Sequence, residues 1–135
     1  MRLSGLLKKF CVLVPLFLIG CVSAMMAQSQ SVLERYKTVV FEDGISLEEA
    51  KLIAQRELIR EGEVAVYDLA DPQVDAQVAD LPRSQDHWFV FFDERETGSI
   101  KYIFMVVIHQ RTGDVKFSQG YAEDKRWILE AALLR

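Results

Sequence analysis

Apolar and polar positions divide the chain into an apolar N-terminal run, a polar gap and a patterned body. Phe10 to Ile19 is continuously apolar and follows Arg2, Lys8 and Lys9. Met25 to Ser31 is rich in Gln and Ser and reads as a short tether. Thr38-Val39-Val40-Phe41 has the composition of a short strand, and Glu42-Asp43-Gly44 that of a turn. Helical spacing then begins: Leu47, Ala50, Ile53, Ala54 and Leu58 fall on one stripe. Ser46-Leu47-Glu48-Glu49 spells a capping box, in which the Ser hydroxyl accepts from the Glu49 N–H and the Glu49 carboxylate reaches back. Arg60 suits the negative end of the helix dipole and Gly62 a left-handed cap. The spacing predicts a helix over about 47–61. Leu52 and Ile59 lie off the main stripe, so this helix is expected to be contacted on two sides.

After Gly62 the period changes to two. Val64 and Val66 alternate, and Asp71-Pro72 breaks the run. Val74, Ala76 and Val78 read as an edge-type strand. Leu81 to Asp86 is a loop, Trp88 to Phe92 an apolar strand, and Asp93 to Ser99 a charged turn. Ile100 to His109 is the longest strand, Arg111-Thr112-Gly113-Asp114 a tight hairpin turn, and Val115 to Ser118 the last strand. Glu123 to Leu134 returns to helical spacing through Trp127, Ala131 and Leu134. This order predicts an α+β domain: an antiparallel meander of three to five strands, an N-terminal helix packed on one face, and a C-terminal helix. In Trp88–Phe92 and Ile103–Ile108 both alternating sets are apolar, so the central strands are expected to be covered on both faces. The C-terminal helix, a second copy of the chain in a homodimer, or a partner protein would supply the second cover. The aromatics of these strands, Trp88 and Phe104 among them, read mainly as core.

The boundaries follow: residues 1–20 as a signal peptide, 21–40 as tether and short strand, 41–135 as the small α+β domain. Basic residues followed by an apolar run of signal-peptide length predict export. Leu18-Ile19-Gly20-Cys21 matches the bacterial lipobox, in which the Cys thiol takes a diacylglycerol. Cys21 is thus the expected lipidation site, and a lipid anchor the expected attachment to the membrane of the cell envelope. Two alternatives stay open. Val22-Ser23-Ala24 fits ordinary signal peptidase, giving a soluble periplasmic or secreted protein. Phe10 to Ala27, if uncut, is just long enough for a bilayer anchor.

Charge narrows the partners. Arg2, Lys8 and Lys9 are the only charged residues before Glu34; beyond them 13 basic and 20 acidic residues remain, net −7 against −4 for the whole chain. That balance disfavours nucleic acid. The cysteines are Cys11 and Cys21, so no disulfide is expected in the domain.

No catalytic motif, metal set or cofactor site is expected. The sharpest chemical candidate is His87 with His109. One begins a central strand and the other ends the next, so a hairpin would bring them together. His87, His109, Trp88 and Tyr102 are the candidate ligand or partner contacts. Asp68, Asp71, Asp75 and Asp80 lack the alternating spacing of a calcium loop and read as a solvated face.

The capped helix Ile45-Ser46-x-Glu48-Glu49-Ala50-x-x-Ile53-Ala54, the strand with Trp88, Val90 and Phe92, and the turn Thr112-Gly113-x-Val115 together resemble PepSY-like domains over about 45–120. They are also similar to cystatin-like and nuclear-transport-factor-like small domains, including immunity proteins of that cone-shaped fold. PepSY-like domains usually carry an Asp two residues before the Thr-Gly pair, where Gln110 stands here. The resemblance implies periplasmic or surface binding and protease inhibition rather than one shared chemistry. The lipobox, the lack of a catalytic constellation and the doubly apolar strands lead to the expectation of a non-enzymatic binding domain that recognises a protein or peptide. The alternatives are an immunity protein, and a small-molecule binder or enzyme with an apolar cavity using His87 or His109.

Overall fold

The computed structural model describes residues 23–76, 86–96, 98–124 and Trp127. Two helices and a four-stranded antiparallel sheet make up the described residues: α1 (residues 23–36), α2 (Leu47–Arg60), β1 (Gln73–Asp75), β2 (His87–Asp93), β3 (Tyr102–His109) and β4 (Val115–Tyr121). The strands lie in chain order, β1-β2-β3-β4, as a meander. The predicted helix over Glu123–Leu134 falls, apart from its first residues and Trp127, outside the described residues, as do the signal segment and Cys21.

The capping box forms at α2. The Glu49 N–H donates to Ser46 Oγ at 3.2 Å and the Ser46 N–H to Glu49 Oε1 at 3.2 Å. Glu61 is the C-cap, and Gly62 follows at φ +72°. Ala50, Ile53, Ala54 and Leu58 join a core with Val90, Phe92, Phe104, Val106 and Ile108. Opposite-face residues Phe89, Met105 and Val107 form a second buried cluster, against which Phe91 and Trp127 pack. Both faces of the central hairpin are therefore buried within one chain, and no second molecule is needed to cover Phe89 or Met105.

Two expectations for 21–40 are corrected. The segment Met25–Ser31, expected as a tether, is helical as part of α1, and Val32 is buried in the main core beside Tyr36. Arg56 of α2 lies 4.5 Å over the Tyr36 ring and donates to its hydroxyl at 3.3 Å. Thr38-Val39-Val40-Phe41 is not a strand. Backbone bonds Thr38 N–H to Arg35 O and Val39 N–H to Tyr36 O close turns that end α1 instead. The Val40 N–H then donates to Glu49 Oε2 at 2.8 Å, so the cap carboxylate holds this turn as well. These bonds, Val40 first and Ser46 next, hold the Glu49 carboxyl below its ordinary value.

Candidate functional site

The register places His87 directly opposite His109, with ring centroids 4.9 Å apart and planes near perpendicular. The Gln110 N–H donates to Asp86 O at 2.8 Å. By the alternation of antiparallel ladders, 86/110 is a hydrogen-bonded pair and 87/109 a non-hydrogen-bonded one, where side chains approach most closely. The hairpin thus brings the two histidines together as expected. They stand on the face of Phe89 and Val107, at the sheet's end.

What the pair can do is limited by its bonding. Nδ1 of His109 accepts from the N–H of Arg111 at 3.1 Å and of Thr112 at 3.2 Å. An acceptor carries no proton, so the neutral ring has its proton on Nε2, and Nε2 is then a donor rather than a metal ligand. Binding a metal through Nε2 would move the proton to Nδ1, against two backbone donors. His109 therefore works as a side-chain cap of the 109–113 turn. Beside it lies an open hollow of about 470 Å³ with Glu42, Asp43, Asp86 and Arg111 on its walls. Among the described residues no group of three or more His, Cys, Asp or Glu is placed to hold a metal ion.

Trp88 faces the main core, half-buried, and its indole N–H donates to Ile45 O at 2.8 Å, tying β2 to the start of α2. Asp68 serves its own turn by accepting from the Ala70 N–H at 3.0 Å.

Tyr102 belongs to a surface that sequence reasoning saw only in part. The register pairs Tyr102 with Tyr121, and their rings lie 4.7 Å apart. Phe117 stacks on buried Phe104 at 5.6 Å and 9°, and Phe104 in turn meets Tyr67 at 5.5 Å. Tyr102, Phe117 and Tyr121 are 37%, 44% and 48% exposed, so they form an open aromatic shelf over a closed aromatic layer. The Tyr67 hydroxyl donates to Gln119 Oε1 at 3.0 Å, fixing β4 from beneath. Burial, then the charges of Glu94 and Glu63, pushes the Tyr67 phenol up to about 12. The Tyr102 phenol is raised by the neighbouring Tyr121 hydroxyl, with Glu94 contributing.

The backbone of β4 completes the surface. The His109 N–H donates to Asp114 O and the Ala122 N–H to Lys101 O, both at 2.9 Å. Alternation then turns the even residues of β4 toward β3 and the odd ones, Val115, Phe117, Gln119 and Tyr121, outward. Among the described residues β4 is the last strand of the sheet, so these outward groups form an edge. At its far end, the Trp127 indole N–H donates to Tyr121 O at 2.9 Å, and an open hollow of about 500 Å³ includes Ile100, Tyr121 and Glu123. Period two in Val115–Ser118 announced the strand, but not its length or its place at the edge.

Among the described residues no helix is long and apolar enough to cross a membrane. Comparison with protein-family models, with curated proteins and with solved structures gave no match.

Proposed function

We propose that this chain is an exported lipoprotein of the cell envelope, lipidated at Cys21, whose small α+β domain is a non-enzymatic module that binds a protein or peptide. The observation that carries the binding reading is the open aromatic shelf of Tyr102, Phe117 and Tyr121 beside the sheet edge of β4. Exposed aromatics over a packed layer offer large contact area at low entropic cost. The address rests on the basic and apolar N-terminal pattern and the lipobox. The order of α2 followed by a four-stranded meander supports the resemblance to PepSY-like and cystatin-like domains. We read the chain beyond Trp127 as a helix across the second sheet face. Supporting this, Trp127 packs on the Phe89 and Met105 cluster and lies where a Cβ on Gly120 would meet its ring.

The test is affinity capture from envelope extracts, with the chain and its Phe117→Ser, Tyr121→Ser variant in parallel. A partner held by the first and lost by the second is expected. Reproducible recovery of nothing by either would sink the binding reading.

A further inference from the structure

We infer that β4 is a strand-addition site for an extended peptide segment of a partner, with apolar side chains at alternate positions and a Lys or Arg at the end lying over Tyr121. This rests on the binding-module reading and names the surface and the ligand chemistry.

Three observations carry it. The first is the edge. β4 has seven residues, with Phe117, Gln119 and Tyr121 exposed. The outward N–H and C=O groups of Val115, Phe117 and Gln119 repeat at the two-residue spacing that an added strand requires. Natural edges are commonly blunted by charge, proline or a bulge. Within β4 the only charged residue is Lys116, and its side chain leaves on the opposite face from the shelf.

The second is the shelf. In an added strand, residues opposite Phe117 and Tyr121 point to the same face as those rings. Apolar side chains there would close over Phe117 and the Tyr102–Tyr121 pair. A segment polar at the intervening positions fits the opposite face, where Lys116 and Ser118 stand.

The third is charge. Behind the tyrosine end of the shelf lie Glu63 and Glu94, both felt electrostatically at Tyr67, and Glu123 stands at the end of β4. Among the described residues, Lys101 is paired with Asp93 at 3.0 Å and Arg95 is turned to the backbone, its Nε donating to Val64 O at 2.7 Å. The other end of β4 carries Lys116 and Arg111. A cationic group on the segment therefore finds its counter-charges, and a tyrosine face, at the Tyr121 end. Antiparallel addition, which continues the sheet, places that cation at the segment's N-terminal end.

The experiment uses the full-length chain in detergent, labelled with ¹⁵N. The probe is a synthetic peptide of two lysines followed by alternating valine and threonine. Amide exchange at Phe117 and Gln119 is expected to slow by about a hundredfold with the peptide at about 100 times its dissociation constant. A peptide with glutamates in place of the lysines should bind at least about tenfold more weakly in low salt. A version N-methylated at alternate backbone nitrogens should not protect these amides. Binding without protection of Phe117 and Gln119, or equal binding by the N-methylated peptide, overturns strand addition. Equal binding by the glutamate peptide overturns the assigned charge. Protection that rises with protein concentration in the absence of peptide assigns the edge to a second copy and overturns the proposal. A Phe117→Pro variant separates this from the broader reading. If envelope capture still recovers its partner with that variant folded, the domain binds elsewhere and the edge proposal fails alone.

Discussion

Gly113 carries two constraints at once. Its φ of +76° lies in the left-handed region, and a Cβ there would stand 2.5 Å from the Phe41 ring. A non-glycine residue costs about 1–2 kcal/mol from backbone conformation alone, and the ring must also move. Gly113→Ala should lower stability by about 2–3 kcal/mol in urea unfolding. Gly62→Ala is the control: φ is +72°, but nothing lies within 4 Å of its Cβ, so only the backbone cost of about 1–2 kcal/mol applies. Equal losses at both sites would show that Phe41 does not pack on the turn. Glu49 supplies a pH dependence. Its carboxyl is held below the ordinary value of 4.5 by the Val40 and Ser46 N–H groups. A depressed folded pKa means that its contribution is present above pH 4.5 and is lost as pH falls through the folded value. Glu49→Gln should flatten that acid limb of the stability curve; an unchanged acid limb would deny the carboxylate this role.

At the scale of elements, Trp127 packs on the second sheet face. Its ring lies on Gly120 and packs with Phe89, Met105 and Val107, and its indole N–H ends on Tyr121 O. Trp127→Ala should cost roughly 3 kcal/mol and raise binding of an apolar dye as that face opens. Full stability without new dye binding would show that Trp127 does not close the face. The elements that the sequence made legible are those whose pattern is backed by several local signals. α2 has a stripe, a capping box and a following glycine. β2, β3 and the Thr112-Gly113 turn have doubly apolar strands and a left-handed residue at the bend. α1 was not legible because its inward stripe, Met25, Gln28, Ser29, Val32 and Tyr36, is interrupted by polar residues. Val39 and Val40 looked like a strand, but Glu49, nine residues on, captures the Val40 N–H, a contact that propensity does not encode. The histidine pair was legible from strand ends alone. Its use was not, since only the turn geometry shows His109 Nδ1 occupied by backbone donors.

At the scale of the whole molecule, the question is how the domain is held where its edge can meet a partner. α1 changes the geometry of the anchor. With residues 23–36 helical and Val32 in the core, little free chain separates Cys21 from the folded body. A lipid at Cys21 would hold the domain close to the bilayer surface rather than on a loose leash. One acyl group binds membranes only marginally, whereas several chains on one cysteine anchor stably. Intact mass spectrometry of the membrane fraction, with Cys21→Ser in parallel, tests this directly. The expected result is a chain beginning at Cys21 and carrying acyl mass, with that mass and the membrane association lost in the variant. A chain beginning at Met25 would shorten α1 at its start and leave the domain soluble. An uncut chain would instead make Phe10 to Ala27 the anchor. The acylated and the uncut products both hold the domain at a membrane surface and the chain beginning at Met25 does not, so the mass of the mature chain decides whether a partner should be sought at the membrane or in solution.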